Sequence, residues 1–172
     1  MPRPYTITAG HGGSDPGAVA GRVTERDLMT GLRDIVAEKL RARGLQVRTD
    51  GARGINDPLA TAIHLIAGSA VAIELHTNAS TNPAARGVEV ISLPAQRATA
   101  QRIAQGIAKV LNTAVRGDAG WIDQSQSARG RLGFVQRGGL IVEVCFISNP
   151  AELAAYQALA WNVATAIVDA IA

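Results

Sequence analysis

A chain of 172 residues, 47% hydrophobic and 18% charged, is long enough to bury one core and too apolar to remain disordered. Its formal charge of +3 is small and its arginines are spread along the chain, so no basic run marks a nucleic-acid partner. The single cysteine, Cys145, excludes an intrachain disulfide and a cysteine-based zinc ribbon.

Residues Tyr5–Ala9 read as a short strand that ends in the glycine-rich loop Gly10-His11-Gly12-Gly13-Ser14-Asp15-Pro16-Gly17. A helix is expected over 25–43, because Leu28, Leu32, Ile35, Val36 and Leu40 recur at helical spacing. Thr24 suits its N-cap and Gly44 its C-terminal stop. A strand over 45–49 and a helix over 59–67 follow, the latter stopped at Gly68. Strands are expected at 71–76 and 87–92, then a helix at 96–111 with Ile103, Ile107, Val110 and Leu111 on one face.

The polar, glycine-rich stretch 116–133 reads as a long surface loop. Leu140–Phe146 is an apolar strand, and Pro150 opens a C-terminal helix with Leu153, Leu159, Val163 and Ile167 on its apolar side. Alternating strands and helices predict an α/β single-domain three-layer sandwich, a mostly parallel central sheet flanked by helices. No repeat or linker divides residues 1–172, so one domain is expected, as a monomer.

The N-terminal residues lack the apolar core of a secretory signal. The apolar run 59–75 is interrupted by Gly68-Ser69 and carries His64 and Glu74, so it does not read as a membrane span. Synthesis in the cytoplasm is therefore expected, with passage outward supplied by something else.

Four residues carry chemistry. His11 follows a strand between glycines, where backbone can approach a ligand closely; the alternative is a histidine decorating a turn. His76 ends the strand Val71-Ala72-Ile73-Glu74-Leu75-His76, on the same face as Glu74 by period-two alternation. It reads either as a ligand or as a capped core histidine. Glu25, in the first turn of a helix, is either a partner of the helix dipole or the carboxylate of a His₂Glu metal shell, which leaves one position open for water. Glu143 interrupts a strand that is apolar on both faces, where an ionised carboxylate is costly unless paired, hydrogen-bonded or near a metal. A buried salt bridge to an arginine and a general base beside an activated water both remain open for it.

The chain resembles the zinc-dependent N-acetylmuramoyl-L-alanine amidases of bacterial cell-separation enzymes and phage endolysins. The resemblance rests on Gly10-His11-Gly12-Gly13-Ser14-Asp15-Pro16-Gly17-Ala18, on Gly21 with Glu25 opening a helix, and on Glu74-Leu75-His76-Thr77-Asn78-Ala79. Gly87-Val88-Glu89-Val90 and Ile141-Val142-Glu143-Val144-Cys145-Phe146-Ile147-Ser148-Asn149-Pro150 complete it, in the family's order and across nearly the whole chain.

The resemblance implies a Zn²⁺ cofactor held by His11, Glu25 and His76, with Glu143 as the catalytic carboxylate. It also implies a peptidoglycan substrate, cut at the amide between the lactyl group of N-acetylmuramic acid and L-alanine in endolysin-like wall lysis. Neither nucleic acid nor stable membrane insertion is expected. The implied mechanism has zinc activating a water and polarising the carbonyl, while Glu143 carries the proton to the leaving nitrogen.

Alternatives are a catalytically silent peptidoglycan-binding protein and another zinc peptidase or amide hydrolase. The sequence departs from the family at Glu74, where a small polar residue is usual, and at Gly138-Gly139, which replace a proline. Glu74 is expected either to orient a ligand histidine or to alter the charge of the site. His64 and Cys145 read as structural, Cys145 on the same face as Glu143. Trp121, Arg129 and Arg131 read as loop decoration that could line a glycan groove.

Overall fold

The computed structural model describes residues 2–127 and 130–172. Five strands form most of one sheet: β1 (Tyr5–Ala9), β4 (Val47–Thr49), β5 (Val71–Asn78), β6 (Glu89–Ser92) and β8 (Leu140–Phe146). A short strand, β7 (Trp121–Asp123), completes it in the order β4-β1-β5-β8-β6-β7. All neighbours are parallel except β6 and β8. The helices are α1 (Glu25–Ala42), α2 (Leu59–Leu65), α3 (Arg97–Leu111), α4 (Gly133–Gln136) and α5 (Pro150–Ile171). Strands β2 (Val19–Ala20) and β3 (Val23–Thr24) pair as a separate small hairpin.

Two cores make three layers. Ile7, Ile73, Leu75, Val90, Leu140 and Val142 project from one sheet face onto α1, α3 and α5, whose Met29, Leu32, Ile103, Ile107, Val163 and Ile167 complete the larger core. Ala72, Ile91 and Ile141 project from the other face onto Ala62 and Ile66 of the α2 region and onto Phe134 and Val135 of α4. The short helices leave much of this second face to polar side chains. Glu74, His76, Glu89 and Glu143 share the strand parity of Ala72, Ile91 and Ile141, so the chemistry sits on the thinly covered side.

The expected sandwich is therefore present, with local differences. The stretch 116–133 contains β7, whose Trp121 donates from Nε1 to Ser92 Oγ at 3.0 Å; Trp121 holds a sheet edge. Arg131 is exposed, and Arg129 lies outside the described residues. The pairing register shifts between His76 and Asn78, so strict alternation fails after Glu143 and Cys145 turns into the larger core, away from Glu143's face. Burial pushes the Cys145 thiol far above its usual range, consistent with an inert packing group. His64 is exposed on α2. On α5 the buried stripe runs through Tyr156, Val163, Ala164, Ile167 and Val168, while Leu153 and Leu159 are only half-buried.

Candidate metal centre

His11, Glu25 and His76 come from three separate places in the chain. Thr24 caps α1, its side chain accepting from Asp27 N at 3.1 Å, and this fixes where the helix begins. Glu25 is thereby the first helical residue, yet it does not simply face solvent beside the helix dipole. It is 1% exposed, and its oxygens accept from Ala18 N at 3.0 Å and Thr77 N at 2.9 Å. His11 adopts a left-handed backbone, φ 61°, which only a forced turn imposes on a residue with a Cβ.

The turn is forced by a buried network that the sequence alone did not reveal. Arg33 of α1 is 0% exposed and bonds through Nη1 to Asp50 Oδ1 at 3.2 Å and Asn56 Oδ1 at 3.0 Å. Asp50 accepts from Ala9 N, while Asn56 Nδ2 donates to the carbonyls of Ala9 and His11. The end of β1 and the start of the His11 loop are tied down from both sides.

The donor atoms of the three residues lie within 4.8 Å of one another. Each imidazole turns one nitrogen to Glu25 and the other outward to a second carboxylate. His11 Nε2 stands 3.3 Å from Glu25 Oε2 and its Nδ1 2.8 Å from Asp15 Oδ2. His76 Nδ1 is 3.0 Å from Glu25 Oε1 and its Nε2 3.1 Å from Glu74 Oε2. Two glycines make room. A Cβ on Gly10 would fall 2.1 Å from the His76 ring, and one on Gly17 would fall 2.6 Å from the His11 ring.

Burial works against a charge on His76, but the hydrogen bonds it donates to Glu25 and Glu74 outweigh it and raise its pKa to about 10. Glu25 beside it raises that of His11 as well. Burial would push Glu25 up, but the close approach of both imidazoles to its carboxylate holds it well below the usual carboxylate range.

The residues fit a metal ion. His11 Nε2 is buried and makes no aligned hydrogen bond among the described residues. Two imidazole nitrogens and a carboxylate are a donor set suited to zinc, and each histidine has an outer carboxylate that fixes its ring.

Glu143 lies next to this cluster. It pairs in register with His76 across β5 and β8 and with Glu89 across β8 and β6, which sets the three side chains in one row. It is 4% exposed and borders a groove of about 370 Å³. All four residues singled out in the sequence therefore converge. Asp15, Arg33, Asp50 and Asn56 were missed. Asp15 alone had a readable signal, four residues after His11 in the glycine loop.

An α/β sandwich with a His-Glu-His cluster near the carboxyl ends of its strands, and a buried carboxylate beside it, has the donor set and the frame of a hydrolase site. The chain belongs to the N-acetylmuramoyl-L-alanine amidase family, whose pattern matches residues 6–172. It is 41% identical to a crystal structure of a protein assigned as N-acetylmuramoyl-L-alanine amidase from Neisseria meningitidis. There the TM-score is 0.90, over 98% of this chain and 93% of that one. It is 26% identical to the N-acetylmuramoyl-L-alanine amidase AmiC of N. meningitidis serogroup B, over 85% of this chain. The match spans 46% of that relative's length. The catalytic domain of CwlV from Bacillus (Paenibacillus) polymyxa var. colistinus shares the fold at 21% identity, with a TM-score of 0.78 over 98% of this chain and 96% of that one.

Proposed function

We propose that this chain hydrolyses the amide between the lactyl group of N-acetylmuramic acid and L-alanine in peptidoglycan, with zinc bound by His11, Glu25 and His76. The observation that carries the reading is the convergence of these three donors within 4.8 Å, with Glu143 adjacent to His76 in the row. Family membership supplies the substrate class.

Zinc held by His11, Glu25 and His76 would supply Lewis acidity and a water of lowered pKa. The protein's own residues do the rest. Asp15 and Glu74 hold the two imidazoles with one nitrogen inward. Glu143 takes the proton of the attacking water and delivers it to the nitrogen of the departing L-alanine. The groove beside Glu143 receives the substrate. Released into a wall, the activity amounts to endolysin-like lysis.

Purified protein incubated with cell wall should free L-alanine amino termini and leave the glycan strands intact. Exhaustive chelation should abolish this release and added zinc should restore it. His76→Ala should bind no zinc. Full activity in a protein shown to be metal-free would sink the assignment, and cleavage elsewhere in the stem peptide would point to a peptidase.

Glu74 offers a second prediction. Its carboxylate holds the outer nitrogen of His76 at 3.1 Å, and loss of such an outer partner typically lowers metal affinity by roughly 10- to 100-fold. Competition with a chromogenic chelator should show Glu74→Gln weakening zinc binding by about that factor. Unchanged affinity would mean that Glu25 alone orients the ring.

A further inference from the structure

The row of side chains that starts at His76 and Glu143 continues to Glu89 on β6. Neighbouring strands lie about 4.8 Å apart, so Glu89 stands about 10 Å from His76, one strand beyond Glu143. Glu89 is buried, and its two oxygens are committed: Oε1 accepts from Asn78 Nδ2 at 3.1 Å and Oε2 from Arg116 Nε at 2.6 Å. This fixes the guanidinium of Arg116 by one edge. Its Nη1 reaches Arg86 O at 3.5 Å, and the Phe146 ring lies 5.0 Å from its centre. Nη2 makes no hydrogen bond among the described residues, and the side chain is 44% exposed. Arg116 is the one cationic side chain among the described residues lining the groove that Glu143 borders.

We propose that Arg116 is a carboxylate subsite, receiving the α-carboxylate of the second stem-peptide residue, left free because that residue is joined onward through its side-chain carboxyl, on the leaving-group side of the scissile amide. The inference rests on the amidase reading above. The choice of side follows from the substrate's charges. The lactyl carboxyl is consumed in the amide and the glycan offers hydroxyl and acetamido groups, so the anions are on the peptide. From the scissile nitrogen to the second residue's carboxylate carbon, five bonds reach about 6 Å. Glu143 and Glu89 are register partners on adjacent strands, about 4.8 Å apart, and Arg116 Nε lies 2.6 Å beyond the Glu89 carboxylate, which makes a step of the same order. The planar fork of arginine matches a carboxylate, and a guanidinium already fixed by Glu89 loses little freedom on binding one.

The test uses two muramoyl tripeptides identical except that the second residue carries either an α-carboxylate or the carboxamide. Losing a hydrogen bond to a charged group makes the zinc-loaded wild type prefer the carboxylate by roughly ten- to a hundredfold in kcat/KM. Arg116→Gln should bring that ratio close to one, and Arg116→Lys, which keeps the charge without the fork, should retain part of it. Because the single change bares a buried carboxylate, the paired variant Arg116→Met/Glu89→Gln is measured alongside, with melting curves to confirm folding. A structural role alone would lower both rates together and leave the ratio intact. Equal cleavage of both substrates by the wild type, or a wild-type ratio in the folded variants, overturns the subsite. Cleavage of neither substrate by zinc-loaded wild type overturns the amidase reading itself, and the subsite falls with it.

Discussion

Glu143→Gln is expected to lower the amidase rate by about 10²- to 10⁴-fold, the usual contribution of general acid–base catalysis, while zinc content and melting temperature stay near wild type. The amide keeps the shape of the side chain and much of its hydrogen-bonding reach, but it cannot accept the proton of the attacking water. Removing a charge from a position 4% exposed also lowers the cost of burial, which offsets a weakened hydrogen bond. Zinc content should hold because His11, Glu25 and His76 have their donor atoms together without any contribution from Glu143. The opposite pattern, an unstable variant with a normal rate per folded molecule, would identify Glu143 as half of a structural ion pair. Rates on purified wall, metal analysis and a thermal melt on one preparation separate the two.

What the sequence showed of the fold followed from periodicity. Long elements with apolar residues in phase, α1, α3, β5 and β8, appear where the pattern puts them, because burial on one face dictates both spacing and structure. The elements it missed are short. The hairpin Val19–Ala20 with Val23–Thr24 and the edge strand Trp121–Asp123 have two or three residues each, too few for any period to register. Trp121 is held by a hydrogen bond to Ser92, a contact set by tertiary position. Cys145 changed faces for a related reason, since a register shift is a property of the strand pair and not of one strand.

The candidate site was legible for the residues that touch the cluster and opaque for those that support it. His11, Glu25, His76 and Glu143 stand out as polar groups at strand ends, at a helix start and inside an apolar strand. Arg33 gives no such sign. It sits among apolar positions on an amphipathic helix, where an arginine ordinarily reads as a solvated surface residue with a buried stem. Only the fold brings Asp50 and Asn56 against it and makes its complete burial tolerable. Glu74 is intermediate: alternation put it beside His76, but which nitrogen it would hold depended on the ring's rotation.

That supporting network is where the largest loss of stability is expected. Asp50→Ala removes a carboxylate that faces Arg33 at 3.2 Å with both side chains 0% exposed, and it also strips Ala9 N of its acceptor. Breaking a buried pair by removing one partner typically costs about 3–5 kcal/mol, because the remaining charge is left without compensation. Here the low end applies, since Arg33 still donates to Asp34 Oδ1 at 2.8 Å and to Asn56 Oδ1 at 3.0 Å. About 3 kcal/mol in a domain of this size lowers Tm by roughly 6–12 °C. Asp50→Asn, which can keep an acceptor toward Ala9 and Arg33, should lose less. Zinc affinity should fall in step with stability in Asp50→Ala, because the backbone of Ala9 and His11 is tied to the same group through Asn56. A thermal melt and a zinc titration on the two variants decide the point. A melting temperature unchanged in Asp50→Ala would mean that Asp34 and the Ala52 carbonyl, 3.0 Å from Nη2, satisfy the buried guanidinium unaided.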